Sequence, residues 1–178
     1  IRVGVCGYGY WGPNLARVAA ETSGLSLRAV ADGSQDRRIL AHRRHGVETY
    51  PSLASMLSNR GVDAVAIATP TSTHYALARQ ALEAGKHVLV AKPFTASLRE
   101  AKDLQALAKE RGLVLMVDHT FVYAPAVRKL REMIDAGEIG RLLYLDSVRV
   151  NLGLVQPDVD VLWDLAAHDR TAIAQRHG

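Results

Sequence analysis

RVGVCGYGYWG, residues Arg2 to Gly12, is a short apolar run that feeds directly into three glycines at G-x-G-x-x-G spacing. The run reads as a buried strand, and the stretch from Gly12 to Glu21 reads as a helix. Each glycine has a mechanical purpose in such a turn. Gly7 allows the tight bend, Gly9 lets a pyrophosphate approach the backbone, and Gly12 lets helix and strand pack closely. The helix that follows points its free N–H groups and positive dipole end at the phosphates. Tyr10 and Trp11, between the second and third glycines, belong to the same candidate cofactor-binding turn. Alone, the spacing is weak evidence for a dinucleotide; at the head of a strand–helix series it is strong.

That series continues along the chain. Strands are expected at Leu25–Ala31, Val47–Thr49, Ala64–Ala68, His87–Ala91 and Leu113–Val117. Helices are expected at Ser34–His45, Ser52–Ser58, Ser72–Ala84 and Ser97–Arg111, with Gly85, Gly112 and Gly137 where helices should stop. The strands are apolar on both faces, as central parallel strands covered by helices must be. The pattern predicts an α/β fold with a Rossmann-type, doubly wound parallel sheet. After Asp118 the rhythm changes. A helix is expected from Pro125 to Ala136, then an alternating strand from Arg141 to Val150 and a last helical segment near Trp163 to Gln175. The expected division is a dinucleotide-binding domain at 1–119 and the start of an incomplete α/β second domain at 120–178.

Composition sets wide bounds. The chain has 178 residues, 48% hydrophobic and 22% charged, which is ordinary for a globular protein. A chain this long buries roughly 70% of its unfolded surface and needs no disulfide or metal staple. The single cysteine, Cys6, lies in the first apolar run and reads as a small core hydrophobe, which fits a reducing cytoplasm. No apolar run approaches the roughly 18 residues of a membrane span, so no membrane partner is expected. Net charge is +4. The densest basic run, RRILAHRRHG from Arg37 to Gly46, lacks interleaved aromatics and reads as a solvated helix face with Ile39 and Leu40 turned inward. No nucleic-acid partner and no metal site are expected.

Several residues fall at the carboxyl ends of the expected strands, where open α/β sheets bind ligands. Asp32 lies 20 residues beyond Gly12, at the end of the second strand. A carboxylate there accepts hydrogen bonds from an adenosine ribose and repels a 2′-phosphate, which favours NAD; a turn or helix-cap role is the alternative, since Gly33 and Ser34 follow. Arg37 and Arg38 are near enough to keep NADP possible. The loop TPTSTH, Thr69 to His74, should face the cofactor through the backbone of Thr69 and Pro70, with His74 partly exposed in the first turn of the next helix. VLVAKPFT, Val88 to Thr95, places Lys92 at the mouth of a strand, and Pro93 restricts it to extended geometry. In WDLAAHD, Asp164 and His168 are four apart and share a helix face. They suit proton transfer, or equally a cap and a packed histidine.

Taken together, VGVCGYGYWGPNLAR, ATPTSTHYALARQALEAGKHVLVAKP, DAGEIGRLLYLDSVRVNLG and WDLAAH resemble the Gfo/Idh/MocA oxidoreductases, the glucose–fructose oxidoreductase and inositol dehydrogenase type. The resemblance covers the whole chain. It implies hydride transfer between a nicotinamide cofactor and a secondary hydroxyl of a sugar, nucleotide sugar or cyclitol, with a homo-oligomer as the full-length form. It maps a catalytic lysine onto Lys92, and an acid/base histidine with its aspartate onto His168 and Asp164. Two departures stand out. Ala91 occupies the place of a family glutamate near the nicotinamide ribose, and the chain ends at Gly178, about half the usual length. Both favour the alternative reading, a catalytically weak dinucleotide-binding sensor or a fragment; Lys92, Asp164 and His168 favour the enzyme.

Overall fold

The structure, a computed structural model, describes residues 1–58 and 60–141 together with positions 143, 144, 146, 148 and 163. Its strands are β1 (Arg2–Cys6), β2 (Ser26–Ala31), β3 (Glu48–Tyr50), β4 (Ala64–Ile67), β5 (His87–Ala91) and β6 (Leu115–Asp118). Its helices are α1 (Gly12–Glu21), α2 (Gln35–His45), α3 (Leu53–Leu57), α4 (Thr71–Glu83), α5 (Leu98–Glu110) and α6 (Pro125–Asp135). All six strands are parallel, in the order β3-β2-β1-β4-β5-β6. The chain winds outward from β1 to β3, returns beside β1 as β4, and winds outward again to β6. That reversal between β1 and β4 is the switch point where a doubly wound sheet opens a crevice.

The two-residue period of a strand explains why these runs are apolar throughout. Val5, Val30 and Ala66 face α1 and α2, in a core shared with Ala16, Ala19 and Ala41. Their chain neighbours Cys6, Ala31 and Val65 face the other way, into a core with Leu53, Met56, Leu82 and Leu104 from α3, α4 and α5. Both faces are covered, so neither can be polar. Helix ends are closed locally. Ser34 Oγ accepts from Arg37 N, Ser97 Oγ accepts from Glu100 N, and Ser52 and Ser55 form a reciprocal capping box.

The expectation that Ile39 and Leu40 turn inward on α2 is overturned. They are 42% and 53% exposed, and the buried residue is Ala41. The helix is phased so that its small residue meets the sheet, which lets α2 lie close to β2 while two aliphatic side chains face solvent.

The described chain divides into two compact units, Ile1–Asp118 and His119–Gly178. In the second, a 3-10 turn at Thr120–Tyr123 leads into α6, and Arg128 lies over the Tyr123 ring at 5.3 Å. Val127, Leu130, Met133 and Ile134 recur at helical spacing, yet no α6 residue is buried. The strand expected at Arg141–Val150 and the last helix fall mostly outside the described residues; Leu143, Tyr144, Asp146 and Val148 belong to no strand. No described helix is long and apolar enough to cross a membrane.

Candidate functional site

Strand register brings the loops of interest to one edge. Cys6 pairs with Ala31 and Ile67, Ile67 with Val90, and Ala91 with Asp118. The glycine turn, Asp32, Thr69, Pro70 and Lys92 therefore all leave the sheet at its carboxyl end.

The glycine turn separates what the fold requires from what it leaves open. Gly7 has φ +92°, and a Cβ there would lie 2.7 Å from the Ala68 carbonyl oxygen. A Cβ on Gly12 would lie 1.9 Å from the Gly7 carbonyl oxygen, so α1 could not start where it does. Gly9 is different. Its nearest foreign atom would be Arg37 Nη1 at 3.5 Å, an ordinary contact with a movable side chain. Backbone without a Cβ, bounded here by a side chain that can move aside, just before a helix is what a pyrophosphate needs. The turn is tied down by Gly7 N donating to Ala31 O and Ala68 N donating to Cys6 O, each at 2.8 Å.

Asp32 makes the turn that its sequence context suggested as one of two roles, and it also ties that turn to the glycine motif. Its Oδ1 accepts from Ser34 N at 2.8 Å, making the turn, while Ser34 caps α2. Its Oδ2 accepts from Tyr8 N at 2.7 Å, joining β2's end to the glycine turn, and its side chain is only 8% exposed. A carboxylate has about four lone-pair sites, so capacity for a ribose remains. The two nearby arginines are not equivalent. Arg38 Nη1 donates to the carbonyls of Asp32 and Gly33 at 2.8 and 3.0 Å. Arg37 stands beside Asp32 Oδ2 at 3.7 Å and over Gly9.

Two aromatic contacts escaped the sequence reading. Tyr8, inside the glycine motif, is 2% exposed and places its hydroxyl 3.0 Å from His45 Nε2. Burial lowers the His45 pKa, with Arg44 adding to the effect and Glu21 opposing it. Trp11 Nε1 donates to Asp118 Oδ2 at 2.9 Å, linking the glycine turn to the end of β6, while Tyr10 is 79% exposed. The bulk of a tyrosine between two glycines was the one available signal for Tyr8. Trp11 and Asp118 are 107 positions apart, and nothing local marks them as partners. Cys6 is inert: burial, helped by the Asp32 charge, pushes its thiol up to about 12.

His74 corrects an expectation. It is 1% exposed rather than partly exposed, because the first turn of α4 faces inward at this point. Its Nδ1 lies 2.8 Å from Pro93 O and its Nε2 lies 2.9 Å from Thr69 O. The Thr73 hydroxyl donates to Pro70 O at 2.7 Å and also bonds the Thr69 hydroxyl. Lys92 is half-buried at the end of β5, and its peptide bond to Pro93 is cis. Ala91 is buried opposite Asp118. Asp164 and His168 lie outside the described residues.

A model of the oxidoreductase family with an NAD-binding Rossmann fold, GFO_IDH_MocA, matches residues 1–119. The chain belongs to this family. It is 39% identical to a UDP-N-acetylglucosamine 3-dehydrogenase from Acidithiobacillus ferrooxidans, over 95% of this chain and 52% of the relative. Among solved structures it is similar to GenD2 from gentamicin A biosynthesis in complex with NAD, with a TM-score of 0.75 and 35% identity over 78% of this chain and 40% of that one. It is also similar to a 3-ketoreductase from Actinomadura kijaniata in complex with TDP-benzene and NADP, with a TM-score of 0.74 and 34% identity, over 79% and 45% of the two chains. This Gfo/Idh/MocA chain spans about half the length of the first of these relatives. The Rossmann fold read from the glycine turn is the family's fold, and its cofactor class is the nicotinamide dinucleotides.

Proposed function

We propose that the protein is an NAD(P)-dependent dehydrogenase or reductase acting on a secondary hydroxyl of a sugar, nucleotide sugar or cyclitol. The observation that carries the reading is the open backbone at Gly9, with Asp32 and Lys92 on the same sheet edge. A dinucleotide fits these residues. Gly7, Gly9 and Gly12 with Tyr10 and Trp11 would hold its pyrophosphate, Asp32 its adenosine ribose, and the Thr69–Pro70 backbone its nicotinamide half. A nicotinamide held by these residues would supply the hydride acceptor for the substrate carbon. Lys92 supplies an ammonium to hold the reacting oxygen, and its position after β5 keeps that charge at the carboxyl edge. His168, with Asp164, would take the hydroxyl proton as the carbonyl forms, so that hydride and proton leave one alcohol together. The Asp32 carboxylate disfavours a 2′-phosphate and makes NAD the first choice; Arg37 beside it tempers that preference.

The first test is a fluorescence titration of the protein with NADH and NADPH at matched salt, followed by turnover of UDP-N-acetylglucosamine and then scyllo-inositol with NAD. Saturable binding with NADH the tighter ligand is expected. Lys92→Met should keep that binding and lower turnover about a hundredfold or more. Unchanged turnover in Lys92→Met would remove Lys92 from the reaction. Ala91, at the ribose-proximal position of a family glutamate, gives a second reading some standing. Tight NADH binding with no turnover of any sugar or cyclitol would favour a dinucleotide sensor.

A further inference from the structure

We infer that His74 is a positioning residue that clamps the two loops of the candidate site to each other. The inference rests on the reading above only in treating these loops as the nicotinamide and substrate sides of one site. Thr69 belongs to the loop after β4, and Pro93 to the loop after β5, directly beyond Lys92. These strands are neighbours, but their pairing ends at Ile67 and Val90. Beyond that point the ladder no longer holds the two segments together, and the His74 ring spans them. Nδ1 reaches the Pro93 carbonyl at 2.8 Å, and Nε2 reaches the Thr69 carbonyl at 2.9 Å.

Both partners are carbonyl oxygens, which only accept. The two-armed clamp therefore needs an N–H on each ring nitrogen, one donated to each carbonyl. His74 is 1% exposed, so removing the ring leaves the buried Pro93 carbonyl and the half-buried Thr69 carbonyl without this donor. Each arm serves a different loop. The Nε2 arm fixes the backbone proposed to meet the cofactor; the Nδ1 arm fixes the segment that carries Lys92. Misplacement of a reacting group by about 1 Å costs about a hundredfold in rate, so a clamp of this kind affects chemistry without touching substrate.

The two arms can be tested one at a time in the full-length protein. An asparagine amide reaches the place of Nδ1 and a glutamine amide the place of Nε2. His74→Gln should keep the Thr69 arm and His74→Asn the Pro93 arm. Hydrogen exchange followed by mass spectrometry reads the loops directly. His74→Gln is expected to speed exchange in residues 92–97 and spare 69–73, and His74→Asn to do the reverse. NADH affinity should fall about tenfold in His74→Asn and stay within about twofold in His74→Gln. Turnover should fall about tenfold to a hundredfold in His74→Gln, with less change in His74→Asn. Equal loosening of both loops in both variants would overturn the clamp, as would exchange unchanged in either. If Lys92→Met retains turnover while the exchange pattern still divides, the clamp stands and the role given to Lys92 fails.

Discussion

Gly9 and Gly12 occupy one motif but answer to different forces. Gly12 is glycine because a Cβ would collide with the Gly7 carbonyl at 1.9 Å, a requirement of the fold itself. Gly9 has room for a methyl group within the protein, its nearest neighbour being the movable Arg37 guanidinium. Gly9→Ala is therefore expected to melt within a few degrees of the parent and to lose NADH affinity by about tenfold or more, because the added carbon occupies the pyrophosphate's approach. Gly12→Ala should lose cooperative unfolding altogether. Thermal melts beside NADH titrations of both variants separate the two effects; retained affinity in a folded Gly9→Ala would refute the phosphate assignment. The motif's glycines were legible because their spacing is local. Tyr8 meeting His45, Trp11 meeting Asp118 and His74 meeting Pro93 were not, since each partner is fixed by strand order rather than by sequence distance.

At the scale of elements, the strands and helices were readable because the central strands β1, β2 and β4 face two cores and a positive-φ glycine follows α2, α4, α5 and α6. Boundaries moved where the cap residue lies outside the helix, as at Ser34 and Ser97. The phase of α2 was misread because an alanine, not the larger Ile39 and Leu40, meets the sheet. The amino edge of the sheet shows how neighbouring strands are held. Asp63, just before β4, accepts from the Arg2 backbone N at 2.9 Å and from Arg2 Nε at 3.0 Å, at the start of β1. These side-chain and backbone hydrogen bonds hold the Asp63 carboxyl well below the usual carboxylate range. A carboxyl whose folded pKa is depressed stabilises the protein above its unfolded pKa of about 3.9, and loses that contribution as pH falls through the folded value. Asp63→Asn should therefore lower the melting temperature slightly near neutral pH, since both side chains are well exposed and screened. The difference from the parent should shrink below about pH 4, where the carboxyl of the unfolded parent begins to protonate while the folded one is still charged. Melts across that range decide it: a difference that widens on acidification would mean the pair does not stabilise the sheet edge.

The whole molecule is two units with unequal claims to independence. Among the described residues, both cores of the sheet, including the partly buried residues packed on them, draw on residues before Met116. The order β3-β2-β1-β4-β5-β6 is complete by Asp118, the residue that also receives the Trp11 indole. The division at Asp118 falls one residue before the end of the family match at 119. By contrast, no α6 residue is fully buried, and of its apolar stripe Val127, Met133 and Ile134 are half-buried. A chain of residues 1–118 should therefore fold cooperatively, melt within a few degrees of the 178-residue chain, and bind NADH within about threefold of its affinity. In the shorter chain β6 is an edge strand, with Met116 exposed on it and Val114 exposed just before it. Circular dichroism melts and an NADH titration of both chains test this. A truncated chain without a cooperative transition would show that residues after Asp118 complete the Rossmann unit. A folded one that no longer binds NADH would show instead that they complete its cofactor site.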